Sequence, residues 1–173
     1  MSGYTPWNTE RAEVLISAEQ RQARAFYGED GDGATAMLPI LHALQGTFGC
    51  VPPEAIPVIA HRLNISKAEV RGVISFYHDF HDTPPGRHVI KICRAEACQA
   101  GGSERTAAHL ADKHGLRPGT TVNSVTLHNV YCLGNCALGP SALVDNELTA
   151  GFTEDAADAL LARFQESVEE QSA

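Results

Sequence analysis

The sequence predicts an α/β protein, a helical bundle followed by a small α/β domain. Three observations predict it. Apolar residues recur at helical spacing through roughly the first eighty positions. The punctuation DTPPG at 82–86 then breaks the chain. Beyond it come β-type runs with helical segments between them. The expected organisation is a helical bundle over 1–81, serving as a docking region, and a second domain over 87–173.

Each element follows from local pattern. Glu10 to Tyr27 reads as a first helix, ended by the glycine- and acid-rich GEDGDG, 28–33. A second, about Thr35 to Phe48, carries Met37, Leu41, Leu44 and Phe48 on one face, with Gly49 placed to stop it. Pro53 suits the first turn of a third, ending near Leu63 with Ile56, Ile59, Ala60 and Leu63 on one side. Pro57 within it calls for a late start or a kink. SKAE, 66–69, is a capping box opening a fourth helix with Val70, Val73 and Ile74. After the break, HVIKIC (88–93) is a strand, Ser103 to His114 a helix closed by Gly115, and VTLHNV (125–130) a second strand. Ala142 to Asp145 and Leu148 to Ala150 read as a hairpin about Asn146 and Glu147. Thr153 caps a last helix with Ala157, Leu160, Leu161, Phe164 and Val168 inward.

Composition narrows the function. The chain has 173 residues, 43% hydrophobic, with a formal net charge of −8. That balance argues against nucleic acid or an anionic membrane surface as partner, since both require clustered Lys and Arg. No apolar run approaches the ~18 residues of a membrane span. The opening MSGYTPWNTERAEV has neither the basic nor the apolar region of a signal peptide, so the expected location is cytoplasmic, with no membrane insertion. Structural disulfides are rare there, which leaves five cysteines to explain.

Four of them form two pairs, Cys93-x4-Cys98 and Cys132-x3-Cys136, each at or just past the end of a predicted strand. Two adjacent strand ends can bring four sulfurs to one place. A [2Fe–2S] cluster requires four thiolates, two for each tetrahedral iron. Gly101, Gly102, Gly134 and Gly139 let backbone approach such a centre and aim N–H donors at sulfur. A plant-type ferredoxin requires a further cysteine where Gly101 stands, and a Rieske centre requires histidines that neither loop has. A structural four-cysteine zinc site stays open. A redox dithiol matches none of these spacings. Cys50, in FGCVPP, reads as a buried thiol.

CRAEACQ, CLGNCALGP and the upstream GCVPPEAIPVIAHRLNISKAEVRGVISFYHDF resemble the thioredoxin-like [2Fe–2S] ferredoxin family, which includes the 24-kDa subunit of complex I, over roughly residues 35 to 165. The resemblance implies a helical bundle followed by a thioredoxin-like domain. It places cluster ligands at Cys93, Cys98, Cys132 and Cys136. Within the family, SFYHDFH and CRAEACQ are most similar to the gamma subunit of molybdenum-containing, NAD-dependent formate dehydrogenases. The implied role is a subunit bearing one [2Fe–2S] cluster that exchanges single electrons with the FMN of an NADH-binding diaphorase partner. A molybdenum-containing catalytic subunit would be a second partner, and FMN, NAD and the molybdenum cofactor would sit in those partners. A complex I or hydrogenase-diaphorase subunit is the alternative within this chemistry. A zinc-stabilised assembly protein without redox function is the alternative outside it. No catalytic residue is expected in this chain, which has neither G-x-G-x-x-G after a strand nor G-x-x-x-x-G-K.

Other features read more plainly. HDFHD (78–82) suits a hinge or docking surface better than a metal site, having no further ligand at a matching spacing. Asp30 and Asp32 lack the other ligands of a calcium loop. The acidic segment from Glu147 onward reads as a solvated helix face or a contact for a basic surface. Trp7 is either an interface anchor or packing for its own bundle.

Overall fold

The computed structural model describes residues 4–28 and 33–170, with side chains up to 166 in the second stretch. Asp30, Asp32 and the side chain of Val168 lie outside the described residues. The chain divides into two compact units, one ending at Pro84 and the other starting at Pro85.

The first unit is helical. Helix α1, Thr9–Tyr27, is capped by the Asn8 side chain, which accepts from the Arg11 N–H at 2.8 Å. Helix α2, Met37–Phe48, starts two residues later than its periodicity predicts, after a 3₁₀ turn over Gly33–Ala36. Pro39 explains the shift. It has no N–H to donate to the Thr35 carbonyl and its ring crowds that group, so a regular helix cannot include Thr35. Met37, Ile40, Leu41, Leu44 and Phe48 are all buried. Helix α3, Ala55–Leu63, begins late enough to hold Pro57 in its first turn, where no helical N–H is needed, so no kink is required. Arg62 ties α3 to α1: its guanidinium donates to Ser17 Oγ (2.6 Å) and Gln20 Oε1 (3.2 Å), and Gln20 Nε2 donates back to the Arg62 carbonyl (3.0 Å). Helix α4, Lys67–Phe76, carries the full capping box between Ser66 and Glu69.

The segment after α4 is held to α2. The Gln45 amide accepts from the His81 N–H (2.9 Å) and donates to the Asp79 carbonyl (2.6 Å), and the Val51 N–H donates to the His81 carbonyl (2.7 Å). Trp7 is partly buried against this unit's core, its ring 5.0 Å from that of Phe48.

The second unit is a five-stranded mixed sheet with helices. Its strands are β1 (His88–Cys93), β2 (Thr121–Val122), β3 (Val125–Val130), β4 (Ala142–Val144) and β5 (Glu147–Thr149), in the order β2-β3-β1-β4-β5. β1 and β3 are parallel and the other neighbours antiparallel. Helices α5 (Glu96–Ala100) and α6 (Ser103–His114) follow β1, and α7 (Glu154–Glu170) closes the unit. Ile90, Ile92, Leu110, Leu127, Phe152 and Leu161 form the core.

Two tight hairpins bracket the sheet. Asp145 and Asn146 have φ of 50° and 70°, so both central residues of the β4–β5 turn are left-handed. That is the two-residue turn favoured in hairpins, and it moves the turn one residue earlier than the sequence pattern predicts, leaving Glu147 in the strand. Asn123 and Ser124, with φ of 48° and 64°, do the same between β2 and β3. Among the described residues, no helix is long and apolar enough to cross a membrane.

Candidate metal centre

The parallel pairing of β1 and β3 builds the centre. Its register ends with Cys93 opposite Val130, and the Arg94 N–H donates to the Val130 carbonyl at 2.9 Å. Both chains leave the sheet at the same level. After β1, the loop turns into α5, which carries Cys98. After β3, Tyr131 leads to Cys132, whose φ is 70°, and a 3₁₀ turn over Cys136–Leu138 carries Cys136. The Cys93 N–H donates to the Ser141 carbonyl at 3.0 Å, which ties the far end of the second loop to β1.

The four sulfurs gather from these two loops. Cys132 Sγ and Cys136 Sγ lie 4.0 Å apart, and the Cys98 thiol is a hydrogen-bonding neighbour of Cys93. Cys93 and Cys98 are buried, whereas Cys132 and Cys136 are exposed; none is in a disulfide. No three of the four sulfurs lie within 4.8 Å of one another. A single zinc ion with Zn–S bonds of about 2.3 Å would draw all four to roughly 3.8 Å. Four thiols spread beyond one such tight group leave room for two metal atoms.

Backbone amides surround the sulfurs. Burial opposes ionisation of Cys93, yet the N–H groups of Ala95, Cys132 and Leu133, with the Cys98 thiol, hold its pKa below the ordinary thiol value. Cys98 is pushed up, first by burial and then by the Cys93 sulfur, with the Ser141 N–H working the other way. Cys136 is pushed up by the adjoining Cys132 sulfur. Cys98 and Cys136 therefore resist ionisation until a cation joins them. Gly139 sits against this set: a Cβ there would lie 3.3 Å from Cys98 Sγ. Donor chemistry, pairing and amide donors all fit a two-metal thiolate cage.

The other sequence candidates fall elsewhere. Cys50 is buried in the helical unit, its thiol pushed up by burial and by Asp82 and Glu54. His78 and His81 join no group of three metal-binding side chains among the described residues. The amide donors of Ala95, Leu133 and Ser141 escape sequence reading, since any residue type supplies an N–H and only the loop path aims it.

Comparison with known proteins follows the same line. A family model described as thioredoxin-like [2Fe-2S] ferredoxin matches residues 23–165. The chain is 36% identical over 153 residues to one of the NADH-quinone oxidoreductase subunits of Escherichia coli (strain K12), covering 87% of this chain and 92% of that protein. It is 32% identical over 125 residues to NADH-quinone oxidoreductase subunit 2 of Thermus thermophilus, covering 71% and 68%. An NAD+-reducing [NiFe]-hydrogenase structure in the air-oxidized state shares the fold, with a TM-score of 0.62 at 22% identity. That match covers 76% of this chain and 23% of the hydrogenase chain.

Proposed function

The chain belongs to the thioredoxin-like [2Fe–2S] ferredoxin family and carries one [2Fe–2S] cluster, and from that premise we propose that it is the one-electron relay subunit of an NAD-linked dehydrogenase complex. Cys93, Cys98, Cys132 and Cys136 are the residues that would hold the cluster. The carrying observation is the arrangement of sulfurs in two pairs, no three within 4.8 Å. The match to a thioredoxin-like [2Fe-2S] ferredoxin model over residues 23–165 favours the cluster over zinc.

When bound, the cluster supplies reversible one-electron exchange with the FMN of an NADH-binding diaphorase subunit. The chain's own residues set the conditions. Amides of Ala95, Cys132, Leu133 and Ser141 point at Cys93 and Cys98 and favour their thiolates. Cys132 and Cys136 stand at the surface, flanked by Tyr131 and Leu138, which are 70% and 62% exposed. These two apolar side chains mark the face that meets the electron partner. Exposed aromatic pairs in the helical unit, Phe26 with Tyr27 and Phe76 with Tyr77, support its role as a docking region.

The parent complex we propose is a cytoplasmic, NAD-dependent, molybdenum-containing formate dehydrogenase, with this chain as its gamma subunit. CRAEACQ and SFYHDFH support that reading. The relatives named as NADH-quinone oxidoreductase subunits favour a complex I-type assembly as the second reading. Affinity purification of the chain from its own cells, with iron and sulfide analysis and EPR of the reduced sample, tests both levels. Two irons, two sulfides and a reduced-cluster signal are expected, with formate-dependent NAD+ reduction in the co-purified complex. A colourless protein holding one zinc would overturn the relay reading. NADH–quinone activity without formate activity would replace the first parent complex with the second.

A further inference from the structure

We propose that His109, His114 and Asp158 form a second metal site, for a divalent first-row transition ion, on the α6–α7 face and independent of the cysteine cage.

Two histidines near the end of α6 meet one carboxylate from α7. His109 Nε2 lies 2.9 Å and His114 Nε2 2.6 Å from the same oxygen, Asp158 Oδ1. The three ligand atoms all lie within 4.8 Å of one another, the only such group of three among the described residues. Two imidazole nitrogens and one carboxylate oxygen are borderline donors of the kind that hold Zn²⁺, Ni²⁺, Co²⁺ or Cu²⁺. Mg²⁺ and Ca²⁺ call for more oxygen than this set offers.

The surroundings permit an ion to enter. The side chains of His109, His114 and Asp158 are 27%, 23% and 28% exposed, so they are positioned by packing yet reachable, and water can complete the coordination. A cavity of about 190 Å³, lined by Lys113, His114, Leu161 and Phe164 among others, opens beside His114. Lys113 Nζ, His114 Nε2 and His109 Nε2 all converge on the Asp158 carboxylate. Each imidazole presents its Nε2 lone pair once its proton sits on Nδ1.

Lys113 competes for the same carboxylate, its Nζ lying 2.6 Å from Oδ2. The ion therefore takes Oδ1 alone, and the ammonium weakens the site by charge repulsion. That gives the proposal a signature that a plain hydrogen-bonded clamp between α6 and α7 lacks: removing Lys113 should strengthen metal binding.

The test is calorimetric titration of Zn²⁺ into the full chain with its [2Fe–2S] cluster in place, iron content being measured before and after so that the cysteines stay occupied. One saturable site per chain is expected. Asp158→Asn and His109→Ala should each weaken it by roughly tenfold or more, and Lys113→Met should tighten it several-fold. Absence of saturable binding up to millimolar Zn²⁺, or equal binding in wild type, Asp158→Asn and His109→Ala, overturns the site. His109→Ala keeps the test decisive if Asp158→Asn fails to fold, because the Asp158 bonds to His114 and Lys113 remain in it.

Discussion

Cys93 ends β1 directly opposite Val130, the last residue of β3, with the Arg94 N–H bonded to the Val130 carbonyl at 2.9 Å. This register sets the centre. It delivers the second loop so that the Cys132 and Leu133 amides reach the Cys93 sulfur. A one-residue slip would turn every β3 side chain to the opposite face and carry Leu127 out of the core. Core packing and cysteine placement are thus fixed by the same ladder.

The cage should fail when an exposed ligand is removed, and survive loss of the fifth cysteine. Cys132→Ala and Cys136→Ala leave three thiols for two irons, so each variant should hold little iron and show no reduced-cluster EPR signal. Cys50→Ala removes a thiol buried in the helical unit and should retain full iron. Iron-to-protein ratios of the three purified variants decide it. Iron loss in Cys50→Ala would show that the ligand set is wrongly drawn.

Gly139 and Gly134 should separate contact from backbone strain. Gly139 has an ordinary extended backbone (φ −67°), so only space is at issue there. Its added Cβ would stand 3.3 Å from Cys98 Sγ and 3.4 Å from the Cys136 carbonyl. Gly139→Ala should therefore shift the reduced cluster's g values. Gly134 has φ 75° with nothing within 4 Å of an added Cβ, so Gly134→Ala should cost about 1 kcal/mol in conformational strain and leave the g values alone. Indistinguishable spectra for the two variants would refute the contact argument.

What could be read from sequence, and what could not, follows from the range of the interactions. β1, α6 and β3 have the bounds their patterns predict, because alternation and a closing glycine are local signals. Helix α5 is not legible: its five residues, Glu96–Ala100, are too few to show a period. Strand β2, two residues long, exists because Asn123 and Ser124 turn the chain back onto β3. The Cys-x4-Cys and Cys-x3-Cys pairs mark a four-thiolate site by spacing but leave zinc open beside a [2Fe–2S] cluster, whereas the meeting of their two loops emerges only from the β1–β3 ladder. The grouping of His109, His114 and Asp158 has no sequence signature, since it joins a helix end to a residue 44 positions further on.

The α4 cap should carry measurable stability. Ser66 Oγ accepts from the Glu69 N–H at 3.1 Å, and the Glu69 carboxylate accepts from the Ser66 N–H at 2.8 Å. Ser66→Ala leaves the Glu69 N–H without its partner and should cost about 1 kcal/mol. Calorimetry should show the helical unit melting roughly 4–8 °C lower. An unchanged melting temperature would mean that water serves the freed N–H equally well.

Glu69 also gives the helical unit an acid-dependent term. Its pKa is lowered, first by the Ser66 N–H and then by the Ser66 hydroxyl. A carboxyl whose folded pKa lies below its unfolded value contributes stability that is fully present above the unfolded value, about 4.3. That contribution is lost as pH falls through the folded value. Glu69→Gln keeps the side chain's shape and its hydrogen-bonding oxygen but cannot titrate. Wild type should therefore exceed Glu69→Gln in stability at pH 6, and the gap should narrow by pH 3. Urea unfolding of both proteins at the two pH values measures it, and cluster loss in acid affects both alike. A gap that stays constant, or widens in acid, would assign the cap's strength to the neutral hydrogen bonds alone.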